Sequence, residues 1–481
     1  MTAPDPRRWY ALVLLALTQF MVVLDVSIVN VALPSIKEAL GFSQEDLQWV
    51  LTAYTLTFGG FLLLGGRAAD LLGRRRLFLG GLALFSVASL ACGLATSDTL
   101  LIVARAVQGL GAAIISPAAL AILTDTFPEG SERNKALGVW GAVAGAGGAV
   151  GVLLGGILTD ALSWEWIFFI NAPVGAVVIA FGWRMLRESR VTAGVRGFDI
   201  LGAVVGTGGL VLLVYALSES VNLGWGSPRI GGLLAGAAAL LALFVVIESK
   251  AKAALMPLGI FRNRTLSGAN VVGFLLGASI FSMFFFLSLY MQQVLGYSAL
   301  RSGVAYLLIA GTIIVAAGVA QALVTRLGVK AVLATGMLLL VAGCLWFTQV
   351  SVEGSYAVDL APGFVIAGIG LGFAFVPVTI AALTGVRPQE AGIASGLINT
   401  AQQVGGALGL ALLSTIANTR TEGLLDDGVA LPPALTDGFQ YAFAVGAGMA
   451  AIGLLAALLM ISRRTPAVAE PVLDTPLPAI E

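Results

Sequence analysis

The sequence GGRAADLLGRRR (Gly65–Arg76) separates two apolar runs at residues 47–65 and 77–95. One helical crossing of a bilayer requires about 20 residues, and each run has nearly that length. The charged segment between them must therefore form a short turn at the membrane surface. A weaker copy, ALVTRLGVK (322–330), aligns Thr325-x-x-Gly328 with Asp70-x-x-Gly73, 255 residues earlier. The chain therefore predicts one helical hairpin that recurs in two halves.

Apolar runs continue along the whole chain. Of its 481 residues, 58% are hydrophobic and 11% are charged, against roughly 25% charged in an ordinary globular protein. A water-soluble domain cannot bury so much apolar surface, so the composition predicts an all-α polytopic membrane protein. Fourteen runs are long enough to span a bilayer: 9–33, 47–65, 77–95, 99–123, 136–160, 166–186, 199–219, 230–248, 267–290, 302–325, 331–350, 360–384, 395–417 and 439–461.

The basic residues predict the orientation of these spans. With both the N and C termini cytoplasmic, 21 of the 26 lysines and arginines lie in inner loops or termini. The outer loops then hold four, and Arg105 lies within a span. This asymmetry follows the positive-inside rule and favours an even number of spans.

Two further motif pairs support an internal repeat. Gly109-Leu110-Gly111 corresponds to Gly370-Leu371-Gly372, and GGAVG (147–151) corresponds to GGALG (405–409). Two six-helix halves related by an axis along the membrane normal are a known plan of secondary transporters. The alternative is that Gly/Ala-rich helices resemble one another by composition alone.

The repeat predicts four regions along the chain. They are an N-terminal six-helix bundle at 1–187, an inserted helix pair (spans seven and eight) with flanking cytoplasmic loops at 188–264, a C-terminal six-helix bundle at 265–463 and a cytoplasmic tail at 464–481. The tail is proline-rich with acidic residues, a composition typical of disorder.

The sequence excludes several classes of function. It contains no histidine, and its two cysteines both lie within apolar runs. Histidine-based nucleophilic catalysis and histidine metal sites are therefore ruled out, and we find no P-loop, CxxC or HExxH motif. The net charge is zero, which argues against nucleic acid as a partner. We expect no enzymatic activity, no metal and no cofactor, with a proton gradient as the energy source.

The motifs together resemble the major facilitator superfamily and, within it, the fourteen-span drug:proton antiporter family of multidrug efflux proteins. The likeness covers nearly the whole chain. It rests on LDVSIVNVALPSI (24–36), the loop at 66–75, RAVQGLGAA (105–113), GAVAGAGGAVGVLLGG (141–156), WEWIFFINAPVG (164–175) and GIASGLINTAQQVGGALG (392–409). Three residues depart from the family pattern: Ala146 replaces the usual proline, Glu165 an arginine and Leu71 a frequent arginine.

Asp25 and Arg105 are the ionisable residues most firmly inside spans. A charge at the membrane centre costs at least ~2.5–3.5 kcal/mol, so it normally faces a partner or a cavity. Counting from the outer ends of their spans places both side chains at a similar depth, with Gln108 one turn from Arg105. Burial favours a neutral Asp25 and the guanidinium favours the carboxylate, so we predict that Asp25, Arg105 and Gln108 couple transport to protons. The alternative is a static structural pair.

The loop between spans two and three predicts a gate. Asp70 is expected to accept hydrogen bonds at a neighbouring helix N-terminus and to pair with an arginine, closing the cytoplasmic side in one state. The predicted gating residues are Gly66, Asp70, Gly73, Arg74 and Arg75. The second half has Thr325 in place of the carboxylate, so the gate should be asymmetric. The alternative is that the arginines only set topology.

Span five predicts a glycine face. Gly141, Gly145, Gly148 and Gly155 recur at spacings that place them on roughly one side of a helix. Small residues allow close helix approach, so this face is expected to slide against a helix of the other half. Tight static packing is the alternative.

Candidate cavity residues are polar or aromatic side chains at span depth: Asn30, Asn270, Phe285, Tyr290, Gln292, Asn399 and Gln402. Aromatic rings sandwich apolar or cationic compounds. The alternative is that the phenylalanines of span nine face lipid or neighbouring helices.

The resemblance implies a proton-coupled secondary active transporter that exports small hydrophobic or cationic compounds (drugs, antibiotics or dyes) by alternating access. Its partners would be the small-molecule substrate, protons and the lipid bilayer of a bacterial-type cell (inner or plasma) membrane. The alternative is a proton-coupled exporter or symporter of one specific endogenous metabolite. The oligomeric state stays open.

Overall fold

A computed structural model describes residues 8–42, 47, 49–128, 130–189, 199–251, 256–387 and 390–462. Within these residues the chain is helical with short connections and has no β-strand. The predicted tail at 464–481 lies outside the described residues. We call the end of the bundle that carries the turn at Gly73 the inner end, which is cytoplasmic in the predicted topology, and the opposite end the outer end.

The helices follow the predicted spans. The first half contains α1 (Arg8–Leu40), α2 (Trp49–Leu72), α3 (Arg74–Gly93), α4 (Asp98–Thr126), α5 (Ser131–Ala161), α6 (Trp166–Phe169) and α7 (Asn171–Met185). The inserted pair is α8 (Ile200–Leu223) and α9 (Pro228–Lys250). After a 3₁₀ turn at Leu258–Arg262, the second half contains α10 (Arg264–Leu289), α11 (Ala299–Leu327), α12 (Val329–Phe347), α13 (Ala361–Leu383), α14 (Ala391–Asp426) and α15 (Leu431–Met460). A π-helical turn at Tyr290–Val294 extends α10, and another at Tyr356–Leu360 leads into α13.

Each of the fourteen predicted runs falls on a helical segment, with α6 and α7 together forming the sixth. By length and composition, 12 of the described helices can cross a membrane, and α5, which is bent by 45° between Gly148 and Val150, makes 13. The remaining helix, α14, is less apolar because it carries the amides Asn399, Gln402 and Gln403. The predicted class, an all-α polytopic membrane protein, is confirmed.

Single-residue turns mark the repeat. One residue, Gly73, separates α2 from α3 with φ 111°, and one residue, Gly328, separates α11 from α12 with φ 83°. This region of backbone space is open to glycine and strained for residues with a Cβ. The aligned glycines therefore make the same sharp turn in each half.

Corresponding helices also pack alike. In the first half α2 and α3 pack on α4, and α1 packs on α5; in the second, α11 and α12 pack on α13, and α10 packs on α14. The two halves meet along two seams, one between α5 and α11 and the other between α2 and α14.

The inserted pair bridges the two halves. Helix α8 packs against both α2 and α14. Towards the outer end, Tyr215 of α8 stacks on Trp49 of α2 with ring centroids 5.9 Å apart. Beyond α8, the indole N–H of Trp225 donates to the Thr415 hydroxyl of α14 at 2.9 Å. The pair therefore lies over the α2–α14 seam, a position for which we had no prediction.

Candidate functional site

Asp25 is the centre of a buried hydrogen-bonded group inside the first half. Its side chain is 0% exposed and that of Arg105 is 1% exposed. Arg105 Nη1 donates to Asp25 Oδ2 at 2.6 Å, and Gln108 Nε2 donates to Asp25 Oδ1 at 2.8 Å. The direct contact between α1 and α4 agrees with the depths counted from the sequence.

The guanidinium of Arg105 has further partners. Its Nε donates to the carbonyl oxygen of Val50 at 3.0 Å, and Nη1 also donates to Gln108 Oε1 at 2.7 Å. The centroid of the Tyr54 ring lies 4.3 Å from the guanidinium carbon of Arg105, within cation–π range. Three helices therefore hold the arginine in one position.

Asn171 and Ser89 complete this group, and neither was predicted. Asn171 Nδ2 donates to Asp25 Oδ1 at 2.9 Å and to Ser89 Oγ at 3.0 Å. Ser89 Oγ in turn donates to the carbonyl oxygen of Phe168 at 2.9 Å. Asn171 begins α7 and belongs to the WEWIFFINAPVG motif, so an amide within an apolar span was the available signal. We call Asp25, Arg105, Gln108, Asn171 and Ser89 the Asp25 cluster.

The Asp25 cluster satisfies a buried carboxylate. One carboxyl group accepts three N–H donors, one of them charged, and charge-assisted bonds of this kind are about twice as strong as neutral ones. Leaving such a charge unpaired in the interior would be strongly destabilising. The arrangement therefore gives both oxygens of the Asp25 carboxylate an N–H donor.

Asp70 forms a second buried group at the inner end. It is 0% exposed and accepts from Arg74 Nε at 3.0 Å and Nη2 at 2.8 Å through Oδ1. Arg74 Nη1 also lies 3.8 Å from Asp125 of α4. The other oxygen of Asp70 faces the first turn of α14, where a Cβ on Gly392 would lie 2.6 Å from it. A helix N-terminus carries partial positive charge, which suits a carboxylate.

Backbones of the two halves meet beside Asp70. A Cβ on Gly66 would lie 2.5 Å from the carbonyl oxygen of Gly392. No side chain fits between α2 and α14 at this point. Thr325, which corresponds to Asp70 in the second half, is exposed. Its hydroxyl donates to the carbonyl oxygen of Gln321 in the same helix. We call Gly66, Asp70, Arg74, Asp125 and Gly392 the inner gate.

Glu188, which the sequence analysis did not single out, caps α3. Its carboxylate accepts the backbone N–H groups of Arg75 at 3.1 Å and Arg76 at 3.2 Å. The guanidinium of Arg75 lies over Trp183, 5.0 Å from the ring centroid, and its Nε is 3.8 Å from Glu188 Oε2. The sequence feature that could have identified Glu188 is that it is an acidic residue within the basic segment after span six. The chain after α7 thus fixes the start of α3 next to the inner gate.

We expect Glu188→Ala to lower the free energy of unfolding by about 1 kcal/mol, because α3 loses the acceptor for its first turn. Glu188→Gln should lose less, since its amide oxygen still accepts. The measurement is thermal unfolding in detergent, with the exposed Glu353→Ala as the matched control. Equal stability of Glu188→Ala and Glu353→Ala would contradict this role.

The four glycines predicted on one face of α5 have different surroundings. Gly141 faces Val376 of α13, in the other half, whereas Gly155 faces Ile28 of α1, in its own half. A Cβ on Gly148 would meet nothing within 4 Å, and the surroundings of Gly145 lie outside the described part of the chain. Gly141 and Gly155 therefore face different halves, so these glycines do not share one partner helix, and sliding of α5 stays a prediction. Instead Gly138 and Gly303 bring α5 and α11 together.

Gly141→Ala should slow transport several-fold, whereas Gly148→Ala should leave it unchanged. A methyl group at Gly141 would lie 2.9 Å from Val376 Cγ2 and 3.1 Å from its nitrogen, and such overpacking costs about 1–3 kcal/mol. Transport rates at matched protein amounts in vesicles measure the difference. Identical rates for the two variants would contradict a working contact between α5 and α13.

The cavity candidates lie at separate places. Three of the amides donate to carbonyl groups of their own helices: Asn30 to Val26, Asn270 to Leu266 and Asn399 to Ser395. Gln402 lies beside Gly273 and Gly277, in the contact between α10 and α14.

The other candidates differ in exposure. Phe285 is 39% exposed, Gln292 is exposed, and Tyr290 is 0% exposed. The Tyr290 hydroxyl donates to the carbonyl oxygen of Ser351 at 2.7 Å. Tyr290 thus packs in the core of the second half, a position that does not favour contact with substrate.

Comparison with known proteins gives consistent results. Puromycin resistance protein pur8 of Streptomyces alboniger is 41% identical over 474 residues, covering 97% of this chain and 94% of that protein. Cephamycin export protein CmcT of Amycolatopsis lactamdurans is 40% identical over 461 residues, covering 95% and 93%. The crystal structure of the human organic anion transporter MFSD10 (TETRAN) matches with a TM-score of 0.68 at 18% identity, over 94% of this chain and all of that one. This last match concerns the fold alone.

The family assignment follows from sequence and structure together. The Major Facilitator Superfamily profile matches residues 15–410. That range includes the Asp25 cluster and the inner gate, together with both seams between the halves. The chain is a multi-pass membrane protein that belongs to the Major Facilitator Superfamily of transporters.

Proposed function

We propose that this protein is a proton-coupled exporter of small hydrophobic or cationic organic compounds of the antibiotic type. The Asp25 cluster carries the proposal, because a fully buried carboxylate beside a guanidinium is a site where a proton competes with an ion pair. The relatives add support: one is a puromycin resistance protein, and others are export proteins for cephamycin and for tetracenomycin C.

Coupling would work through the two buried groups. At the inner gate α2 and α14 are in close contact in the present conformation, and this contact would close the inner end. Protonation of Asp25 would remove the counter-charge of Arg105 and weaken the packing of α1 on α4 and α7. A change in that packing tilts one half against the other, so that binding of a proton favours one conformation and its release the other.

The bacterial relatives and the predicted orientation support a position in the cytoplasmic membrane, where export would run towards the outside. Protons would then enter from the outer end, because Asp25 pairs with Arg105, which contacts Val50 near the outer start of α2. The inserted pair and the bilayer around it would form the apolar surroundings from which hydrophobic substrates are taken up.

Dye and antibiotic efflux tests the proposal. Cells that express the protein should retain less of a fluorescent cationic dye than control cells, and a protonophore should abolish the difference. In vesicles, an imposed pH gradient should drive the same movement without ATP. Proton-independent export would contradict the coupling, and activity on a single endogenous compound would favour the narrow exporter.

A further inference from the structure

The carboxyl group of Asp25 is surrounded by N–H donors. Arg105 Nη1 contacts Oδ2, while Gln108 Nε2 and Asn171 Nδ2 both contact Oδ1. An ionised carboxylate is an acceptor only, and this set of donors satisfies it. A protonated Asp25 carries an O–H group, which needs an acceptor. All three contacts present N–H donors to Asp25, so none of them supplies that acceptor in the present arrangement.

Two of the three neighbours cannot readily supply that acceptor. A guanidinium has no acceptor atom. Gln108 Oε1 already accepts from Arg105 Nη1 at 2.7 Å and from the thiol of Cys92 at 3.7 Å. Turning the Gln108 amide over would direct its N–H groups at the guanidinium. Gln108 is therefore held in its present orientation by Arg105.

Asn171 has a neighbour that permits reversal. Its Nδ2 donates to Ser89 Oγ, and that hydroxyl donates to the carbonyl oxygen of Phe168. A serine hydroxyl both donates and accepts, and it rotates freely. If the Asn171 amide turns over, Oδ1 takes the place of Nδ2, where it accepts the proton of Asp25 on one lone pair and the Ser89 hydroxyl on the other.

We infer that Asn171 and Ser89 form a hydrogen-bond switch that lets Asp25 exist in both protonation states. With Asp25 ionised, Asn171 donates N–H to it. When a hydronium ion has given its proton to Asp25 and left as water, Asn171 accepts O–H through its carbonyl oxygen. Asn171 is in these terms a positioning residue, and the inference rests on the proposed proton coupling at Asp25.

Other titratable groups around Asp25 do not replace this switch. The titratable groups that face the Asp25 cluster from the neighbouring helices are Arg105 on α4, Cys92 on α3 and Tyr54 on α2. By sequence, α5 has no titratable side chain from residue 136 to 159, and α6 and α7 have none from 166 to 183. Neither Tyr54 nor Cys92 hydrogen-bonds to Asp25 in the described residues: the Tyr54 ring lies under the guanidinium while its hydroxyl is unpaired, and the Cys92 thiol donates to Gln108 Oε1.

Infrared spectroscopy of the purified full chain during a pH titration tests the switch. The C=O stretching band of protonated Asp25 is identified by its absence from Asp25→Asn. In Asn171→Leu, the acid loses its acceptor, so the band should move to higher frequency. Ser86→Ala, which removes a buried hydroxyl one turn along α3, should leave the band unmoved.

A second measurement detects the switch without any substitution at Asn171. In the wild-type chain with ¹³C-labelled asparagine carbonyls, one side-chain amide band should shift to lower frequency with the same midpoint as the Asp25 band, and it should be missing in Asp25→Asn. An unmoved Asp25 band in Asn171→Leu, or no asparagine band that follows Asp25, would overturn the switch.

Transport assays on the same samples separate the two ideas. Titration of Asp25 through the switch without proton-coupled transport would contradict the proposed function and leave the switch standing. Coupled transport with an unmoved Asp25 band in Asn171→Leu would contradict the switch and leave the function standing. An Asp25 that never takes up a proton would contradict both.

Discussion

Asp25→Asn is expected to reduce pH-gradient-driven export to the level of vesicles without protein, while folded protein still inserts into the membrane. Asparagine keeps the size of the side chain but has no proton to exchange. It also leaves Arg105 without its counter-charge, and the loss of one partner from a buried ion pair costs about 3–5 kcal/mol. We therefore expect a lower unfolding temperature as well, measured by the fluorescence of the purified variant on heating.

The matched control for this variant is Asp160→Asn, which changes an exposed carboxylate at the end of α5. It should export at the wild-type rate. Exchange of labelled substrate across vesicles without any gradient should persist in Asp25→Asn, because binding does not require the proton. Full gradient-driven export by Asp25→Asn would rule out coupling at this site and favour a static ion pair.

Gly392→Ala is expected to have the second largest effect, by holding the inner gate apart. The new methyl group would lie 2.6 Å from both the Gly66 carbonyl oxygen and Asp70 Oδ2. Overpacking of about 1–3 kcal/mol reduces the closed population by about 5- to 150-fold. Transport should fall by a similar factor, and the inner ends of α2 and α14 should lie farther apart.

Spin labels at Leu72, the last residue of α2, and Arg387, in the connection that precedes α14, are both exposed and can follow that separation in a variant lacking Cys92 and Cys344. Gly80→Ala is the matched control, because a Cβ there would meet nothing within 4 Å. Unchanged label distances together with normal transport in Gly392→Ala would show that the gate tolerates the extra volume. The close contact of α2 with α14 at the inner gate would then have no role in transport.

Contacts that depend on depth in the membrane were predictable from the sequence. Asp25 and Arg105 were placed at a similar depth by counting along straight helices, and they are in contact at 2.6 Å. The turn glycines Gly73 and Gly328 were aligned by the repeat, and both take positive φ angles. Such features follow from the helical rise and from local backbone geometry, which act over few residues.

Contacts that depend on helix rotation and bending were not predictable. The glycines of α5 share one face of a straight helix, but the 45° bend separates Gly141 from Gly155. Asn171 reaches Asp25 because α6 and α7 meet in a short break at Ile170. No proline marks the bend, whereas Pro173 in the first turn of α7 accompanies the break.

The sequence by itself determined the class of the protein, its succession of helices, the two-fold repeat and the pair of opposite charges inside the membrane, because apolar length, charge and backbone geometry act locally. Only the tertiary structure decided which donors surround Asp25, which backbone closes against Gly66, and that the inserted pair covers the α2–α14 seam. Those outcomes depend on how a dozen or more helices rotate and tilt to fill space together, and no single segment of the chain carries that information.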